Sequence, residues 1–183
     1  MIQFLKSRIV LPVLPTVIVS IVLIVAGGFF FVTRTNVEPE DRLPRAPNFR
    51  MLGWSGEEIL FEQYRGKPIV LNFWAAWCTF CREEMPILEK ISKKYREDGL
   101  VVIGAHRTAT ESRASGAAFA EKIGLTYLLV QDPYDNLYRF FLKGASFMPV
   151  TVYIDREGLI RETVFGPRTE EQMEALIRNI VES

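Results

Sequence analysis

The stretch that decides the fold is Val70-Leu71-Asn72-Phe73-Trp74-Ala75-Ala76-Trp77-Cys78-Thr79-Phe80-Cys81 (residues 70–81, VLNFWAAWCTFC). With Gly66-Lys67-Pro68 as a turn before it, Ile69–Trp74 is a short apolar run rich in β-formers, the pattern of a buried strand. Cys78 then opens a helical stretch predicted to reach about Arg96, in which Met85, Leu88, Ile91 and Tyr95 recur at helical steps and mark one buried face. Pro86 interrupts the hydrogen-bond ladder there and predicts a kink. The first turn of a helix carries unpaired N–H groups and the positive end of the dipole, so a cysteine at that place ionises more readily than a free one. Cys81, one turn further in, is close enough to attack a mixed disulfide on Cys78 and is expected to be the less exposed. The expected roles are therefore Cys78 as nucleophile and Cys81 as resolving thiol.

Working outward, strand and helix patterns alternate. Leu100–Ala105 reads as a strand, and Thr108 with Glu111 forms a capping-box pattern predicting a helix toward Ile123. Thr126–Val130 is the next strand, followed by a short helical piece around Leu137–Leu142. Val150–Ile154 and Leu159–Phe165 flank the turn Asp155-Arg156-Glu157-Gly158 as a hairpin. The last helix starts at a Thr169/Gln172 capping box and carries a stripe of Met173, Leu176, Ile177, Ile180 and Val181. Residues 48–65 are predicted to add a small hairpin before the core. This order implies a mixed central sheet with helices on both faces, a three-layer α/β sandwich.

Ahead of this domain, Ile9–Val32 runs without a charge. As a helix it would rise about 36 Å, enough to cross a hydrocarbon core of roughly 30 Å. A cleaved signal peptide is the competing reading, but it would have a shorter apolar region of about 7–15 residues and a small-residue cleavage site. Here only Ala26-Gly27-Gly28 offers one, and Phe29-Phe30-Phe31 continues past it. The expected organisation is a cytoplasmic tail at 1–8, a transmembrane anchor at 9–32, a Pro-rich polar linker at 33–47 and the α/β domain at 48–183. Positive charges nearly balance across the span, with Lys6 and Arg8 before it and Arg34, Arg42 and Arg45 after. The short tail and the redox chemistry favour the domain facing the periplasm or extracytoplasmic space.

The chain carries 22 basic and 22 acidic residues, and only Lys6 and Arg8 precede the apolar run. The remainder is slightly acidic, which excludes a general nucleic-acid binder and a surface built to hold anionic lipid. There are two cysteines and one histidine, His106. A pair so close in sequence constrains the unfolded chain little, and the inventory falls short of a four-ligand zinc site. No metal site and no cofactor are expected. His106 follows the Val101–Ala105 strand and is read as a polar loop residue, Trp74 as a core aromatic.

Val70–Cys81, with Trp77 directly before the first cysteine, resembles the active-site segment of thioredoxins. More narrowly, Asn72-Phe73-Trp74 and Arg82-Glu83-Glu84-Met85-Pro86 resemble the membrane-tethered TlpA/ResA/CcmG-type branch of that superfamily. The resemblance covers about residues 47–183. It implies a thioredoxin-like fold and an extracytoplasmic thiol–disulfide oxidoreductase, in many relatives a reductant in cytochrome c maturation. It implies that Pro149 is the cis-proline facing the cysteines and that Glu84 is a carboxylate tuning their acidity. Trp77, Met148 and Pro149 would contact substrate. Asn72 stands where cytoplasmic thioredoxins carry a buried Asp. Implied partners are disulfide-containing exported proteins and a membrane thiol–electron donor; no pattern sets the oligomeric state. The sequence departs from the family at Thr79-Phe80, where Gly-Pro or Glu-Pro is common, and at Met148, where Thr, Val or Ile is more usual.

Two other functions compete. A metal- or haem-delivery chaperone would bind through Cys78, Cys81 and His106. A peroxidase would place Thr or Ser three residues before its reactive cysteine and Pro three before that; here those positions are Ala75 and Asn72.

Overall fold

The computed structural model describes residues 43–142, 144 and 147–183. The predicted anchor at 9–32 and most of the predicted linker lie outside the described residues. The elements are β1 (Arg50–Gly53), β2 (Glu58–Leu60), a 3-10 turn at Phe61–Tyr64, β3 (Ile69–Trp74), α1 (Thr79–Lys94), β4 (Val101–His106), α2 (Arg113–Lys122), β5 (Leu128–Gln131), α3 (Asn136–Leu142), β6 (Val150–Ile154), β7 (Ile160–Phe165) and α4 (Glu170–Glu182). One sheet holds all these strands in the order β2-β1-β5-β4-β3-β6-β7. β3, β4 and β5 are parallel. β1 and β6 join them antiparallel, and hairpins add β2 and β7 at the edges. The expected mixed sheet and the 48–65 hairpin are both present.

Every residue of β3 is buried, because both faces of the sheet are covered. Successive side chains of a strand point to opposite faces. Ile69, Leu71 and Phe73 therefore join Ile103, Val150, Val152 and Ile154 against Phe61 and against Tyr138, Phe141 and Leu142 of α3. On the other face, Val70, Val102 and Tyr153 meet Leu88 and Ile91 of α1 and Met173, Ile177 and Ile180 of α4. Burying one such side chain contributes about 1.5–3 kcal/mol, so this strand anchors both layers. That is why it reads as a continuous apolar run rather than an alternating one.

Local chemistry sets the ends. The predicted box at α4 is present: Thr169 Oγ1 accepts from Gln172 N (3.3 Å) and Gln172 Oε1 accepts from Thr169 N (3.1 Å). α1 runs through Pro86 and stops at Lys94 with Tyr95 as C-cap. In the β6–β7 turn Gly158 takes φ 81°, a left-handed conformation costly for other residues, while Asp155 Oδ1 accepts from Leu159 N (2.8 Å). Pro44–Ala46, read from sequence as the end of a spacer, pack against this turn: Ala46 N donates to Gly158 O (2.9 Å), Ile160 N to Pro44 O (2.8 Å), and Ala46 is buried.

Two sequence expectations are overturned by tertiary contacts. α2 does not start from a Thr108/Glu111 box; Ser112 is its N-cap, its Oγ accepting from Ser115 N (3.2 Å), and Glu111 turns inward instead. β5 begins two residues later than predicted, because Thr126 is held through its N–H (2.8 Å) and hydroxyl (2.6 Å) by the carboxylate of Glu89 on α1.

Candidate functional site

β3 ends at Trp74, and Ala75–Trp77 form the turn that brings Cys78 to the N-cap of α1. Cys78 N donates to Ala75 O (3.1 Å), and Cys78 O accepts the first helical bond from Arg82 N (3.1 Å). Cys78 Sγ accepts from Cys81 N (3.1 Å). No acidic residue lies in the first turn of α1, so nothing there offsets its positive end. A thiolate at Cys78 would receive both the N–H and the dipole. Cys78 and Cys81 are joined as a disulfide with Cα atoms 5.3 Å apart. Cys78 keeps 5% of its surface exposed and Cys81 none.

Two aromatics frame the pair. Trp77 and Phe80 are both more than half exposed, and Trp77 Nε1 donates to Thr110 Oγ1 (3.2 Å). The Met148–Pro149 peptide is cis, at the entrance to β6. Pro149 is buried, and Pro149 O accepts from Gly166 N (2.9 Å). Met148 packs against the cluster containing Cys78, Cys81, Trp74 and Met85. The cysteines, Trp77 and Met148 thus share one end of the sheet.

Beneath them lies a buried polar knot. Asn72 Nδ2 donates to Glu84 Oε1 (2.9 Å) and to Thr151 Oγ1 (2.9 Å). Thr151 Oγ1 donates to Glu84 Oε1 (3.2 Å), and Arg168 N to Glu84 Oε2 (3.3 Å). Glu84 is 2% exposed. Burial pushes its pKa from 4.5 up to about 7, against the hydrogen bonds from Thr151 and Arg168 that favour the charge.

His106 is not a loop residue. It ends β4, fully buried, with its ring against Trp74 (centroids 4.5 Å) and Trp54 (5.5 Å). Its Nε2 lies 2.7 Å from Glu111 Oε1, and the same oxygen accepts from Ala76 N. Burial lowers the basicity of this ring, with the Glu111 bond acting the other way. The sequence reading missed Glu111; its one available signal, the spacing from Thr108, pointed to a helix cap. Among the described residues no group of three or more His, Cys, Asp or Glu side chains converges as a metal site.

Residues 44–163 match the AhpC/TSA family. The chain belongs to that family. Among AhpC/TSA relatives, the thiol-disulfide oxidoreductase ResA of Geobacillus kaustophilus is 31% identical over 167 residues, covering 88% of this chain and 92% of ResA. The thioredoxin-like protein YneN of Bacillus subtilis is 33% identical over 130 residues, 71% of this chain and 75% of YneN. A Chlorobium tepidum crystal structure assigned as the thiol:disulfide interchange protein DsbE superposes with a TM-score of 0.69 at 26% identity, over 76% of this chain and 96% of that one. With its Cys-x-x-Cys disulfide in a thioredoxin-like fold, this AhpC/TSA member is a thiol–disulfide oxidoreductase of the ResA/DsbE type. At the positions where a peroxidase would carry Pro and Thr or Ser, it has Asn72, bonded to Glu84 and Thr151, and fully buried Ala75.

Proposed function

We propose that this oxidoreductase is tethered to the cell membrane by residues 9–32, faces the extracytoplasmic side, and reduces disulfides of exported proteins, cytochrome c maturation among its routes. The observation that carries the reading of the site is the unequal placement of the two cysteines. Cys78 caps a helix and keeps 5% of its surface exposed, whereas Cys81 is fully buried behind it. In the reaction, the Cys78 thiolate attacks one sulfur of a substrate disulfide and expels the other as a thiolate. Cys81, deprotonated, then attacks Cys78 Sγ and releases the second substrate thiol. The substrate gains two electrons and the Cys78–Cys81 disulfide forms. A membrane thiol–electron donor must return those electrons before the next cycle. Glu84 tunes the acidity of the pair, and Trp77, Met148 and Pro149 contact the substrate chain.

Support for the tether comes from the uncharged run at 9–32. The match to the Geobacillus ResA also spans more of the chain than Leu43–Ser183. Among the described residues no helix is long and apolar enough to cross a membrane.

The deciding experiment is a redox titration of the full-length chain, read by Trp77 fluorescence. A reversible couple near or below about −270 mV is expected and marks a reductant. A value near about −120 mV would make the protein an oxidant instead. No reversible couple would remove the exchange reaction and bring forward metal binding by the reduced pair. A Cys81→Ser variant is expected to accumulate a mixed disulfide with substrate, and Cys78→Ser to form none.

A further inference from the structure

The segment joining β4 to α2 touches the end of β3 at one point and the turn that carries Cys78 at two. Arg107 N donates to Trp74 O (3.0 Å), Trp77 Nε1 donates to Thr110 Oγ1 (3.2 Å), and Ala76 N donates to Glu111 Oε1. The last contact is backed from behind, because the same Glu111 oxygen meets His106 Nε2 at 2.7 Å. We propose that Glu111, held by His106, is a positioning residue for thiol–disulfide exchange, fixing the Ala75–Trp77 turn so that Cys78 is presented at the N-terminus of α1. This rests on the reading of Cys78 as the attacking thiol.

The geometry assigns the atoms. One carboxylate oxygen accepts from two donors, so the His106 proton sits on Nε2. His106 Nδ1 has no partner among the described residues. A second proton there would be a buried donor without an acceptor, a costly state, so the ring stays neutral. The ring has little room to move, because Trp74 and Trp54 lie against it and an added Cβ on Gly116 would come within 2.4–2.8 Å of three of its atoms. Glu111 is thereby pinned, and its side chain is only 9% exposed. Ala76 is half-buried, and the Glu111 carboxylate is the acceptor its N–H has found. With that acceptor gone, the N–H turns toward water and the turn before the N-cap loosens.

A negative charge near Cys78 would oppose its thiolate, so the useful property of Glu111 is its acceptor geometry and not its charge. Two variants of the full-length chain separate these. Glu111→Ala removes the acceptor and is expected to raise the Cys78 thiol pKa, slowing alkylation of the reduced protein near pH 6.5 about tenfold, one pKa unit. Its equilibrium with glutathione should move about tenfold toward the disulfide, equivalent to about 30 mV more reducing. Glu111→Gln keeps an oxygen for both donors and is expected to alkylate at least as fast as wild type.

An Ala variant that folds with wild-type alkylation and glutathione equilibrium overturns the proposal. So do equal losses in the Ala and Gln variants. If Glu111→Ala does not fold, the wild-type chain decides: strong protection of the Ala76 amide from hydrogen exchange supports the clamp, and exchange at the rate of an open loop overturns it. A wild-type chain with no reversible couple would instead sink the reading of the cysteine pair, a result distinct from each of these.

Discussion

Asn72 and Glu84 meet side chain to side chain inside the protein, Asn72 Nδ2 donating to Glu84 Oε1 at 2.9 Å with neither residue more than 2% exposed. A neutral amide beside a carboxyl accommodates both protonation states of Glu84, and burial has moved its pKa from 4.5 to about 7.

The native state therefore binds the Glu84 proton more tightly than the unfolded chain does. The stability this group contributes is full below about 4.5 and is lost as pH rises through about 7. At about 1.36 kcal/mol per unit, the loss is on the order of 3 kcal/mol. Denaturant melts between pH 4.5 and 8 should show the wild type losing this much relative to Glu84→Gln. Parallel profiles for the two proteins would show that Glu84 titrates normally in the native state.

Asn72→Asp would set a second carboxyl against the first. Two such groups at hydrogen-bond distance cannot both ionise without water, so one must keep its proton. Above pH 8 the variant is expected to lose stability by roughly 3 kcal/mol or more, as when a buried charge is left without a partner. Near pH 5, where a proton is available to share, most of that loss should return. A loss independent of pH would assign the damage to packing rather than charge.

These groups also mark where the sequence was readable. β3, the apolar face of α1 and the capped α4 are local patterns, and each fell where its periodicity put it. Glu84 falls on the stripe of Cys81, Met85 and Leu88, so its spacing agrees with burial, although the residue type argues for solvent. Glu111 was different. A Thr-x-x-Glu spacing suits a helix cap and equally an inward-turned carboxylate. The choice was made by His106 and Ala76, which come from β4 and the β3–α1 turn. No local pattern encodes such a meeting, and for the same reason the burial of His106 was not legible.

Packing of α4 should be separable from the redox site. Ile177 is fully buried in the cluster with Val70, Leu88 and Met173. Ile177→Ala is expected to cost about 2–5 kcal/mol, and Thr169→Ala, which removes only the cap, about 1 kcal/mol. The apolar cluster around Cys78 and Cys81 contains no α4 residue. Both variants should therefore keep the wild-type potential while losing midpoint in urea. A shifted potential in Ile177→Ala would reveal coupling through the sheet, and one in Thr169→Ala coupling through the neighbouring Arg168 N–H that Glu84 accepts.

Gly116→Ala sets two effects of known size against each other. Alanine inside a helix is favoured over glycine by about 1 kcal/mol, which predicts stabilisation. The new methyl, however, would lie 2.4–2.8 Å from the His106 ring, closer than van der Waals contact permits. The ring cannot easily yield, because the two indoles and the Glu111 bond hold it. Overpacking of this kind costs about 1–3 kcal/mol, so the steric effect is expected to win and the urea midpoint to fall. A rise in midpoint would mean that His106 shifts freely, and would weaken the case that it braces Glu111 behind the Cys78 turn.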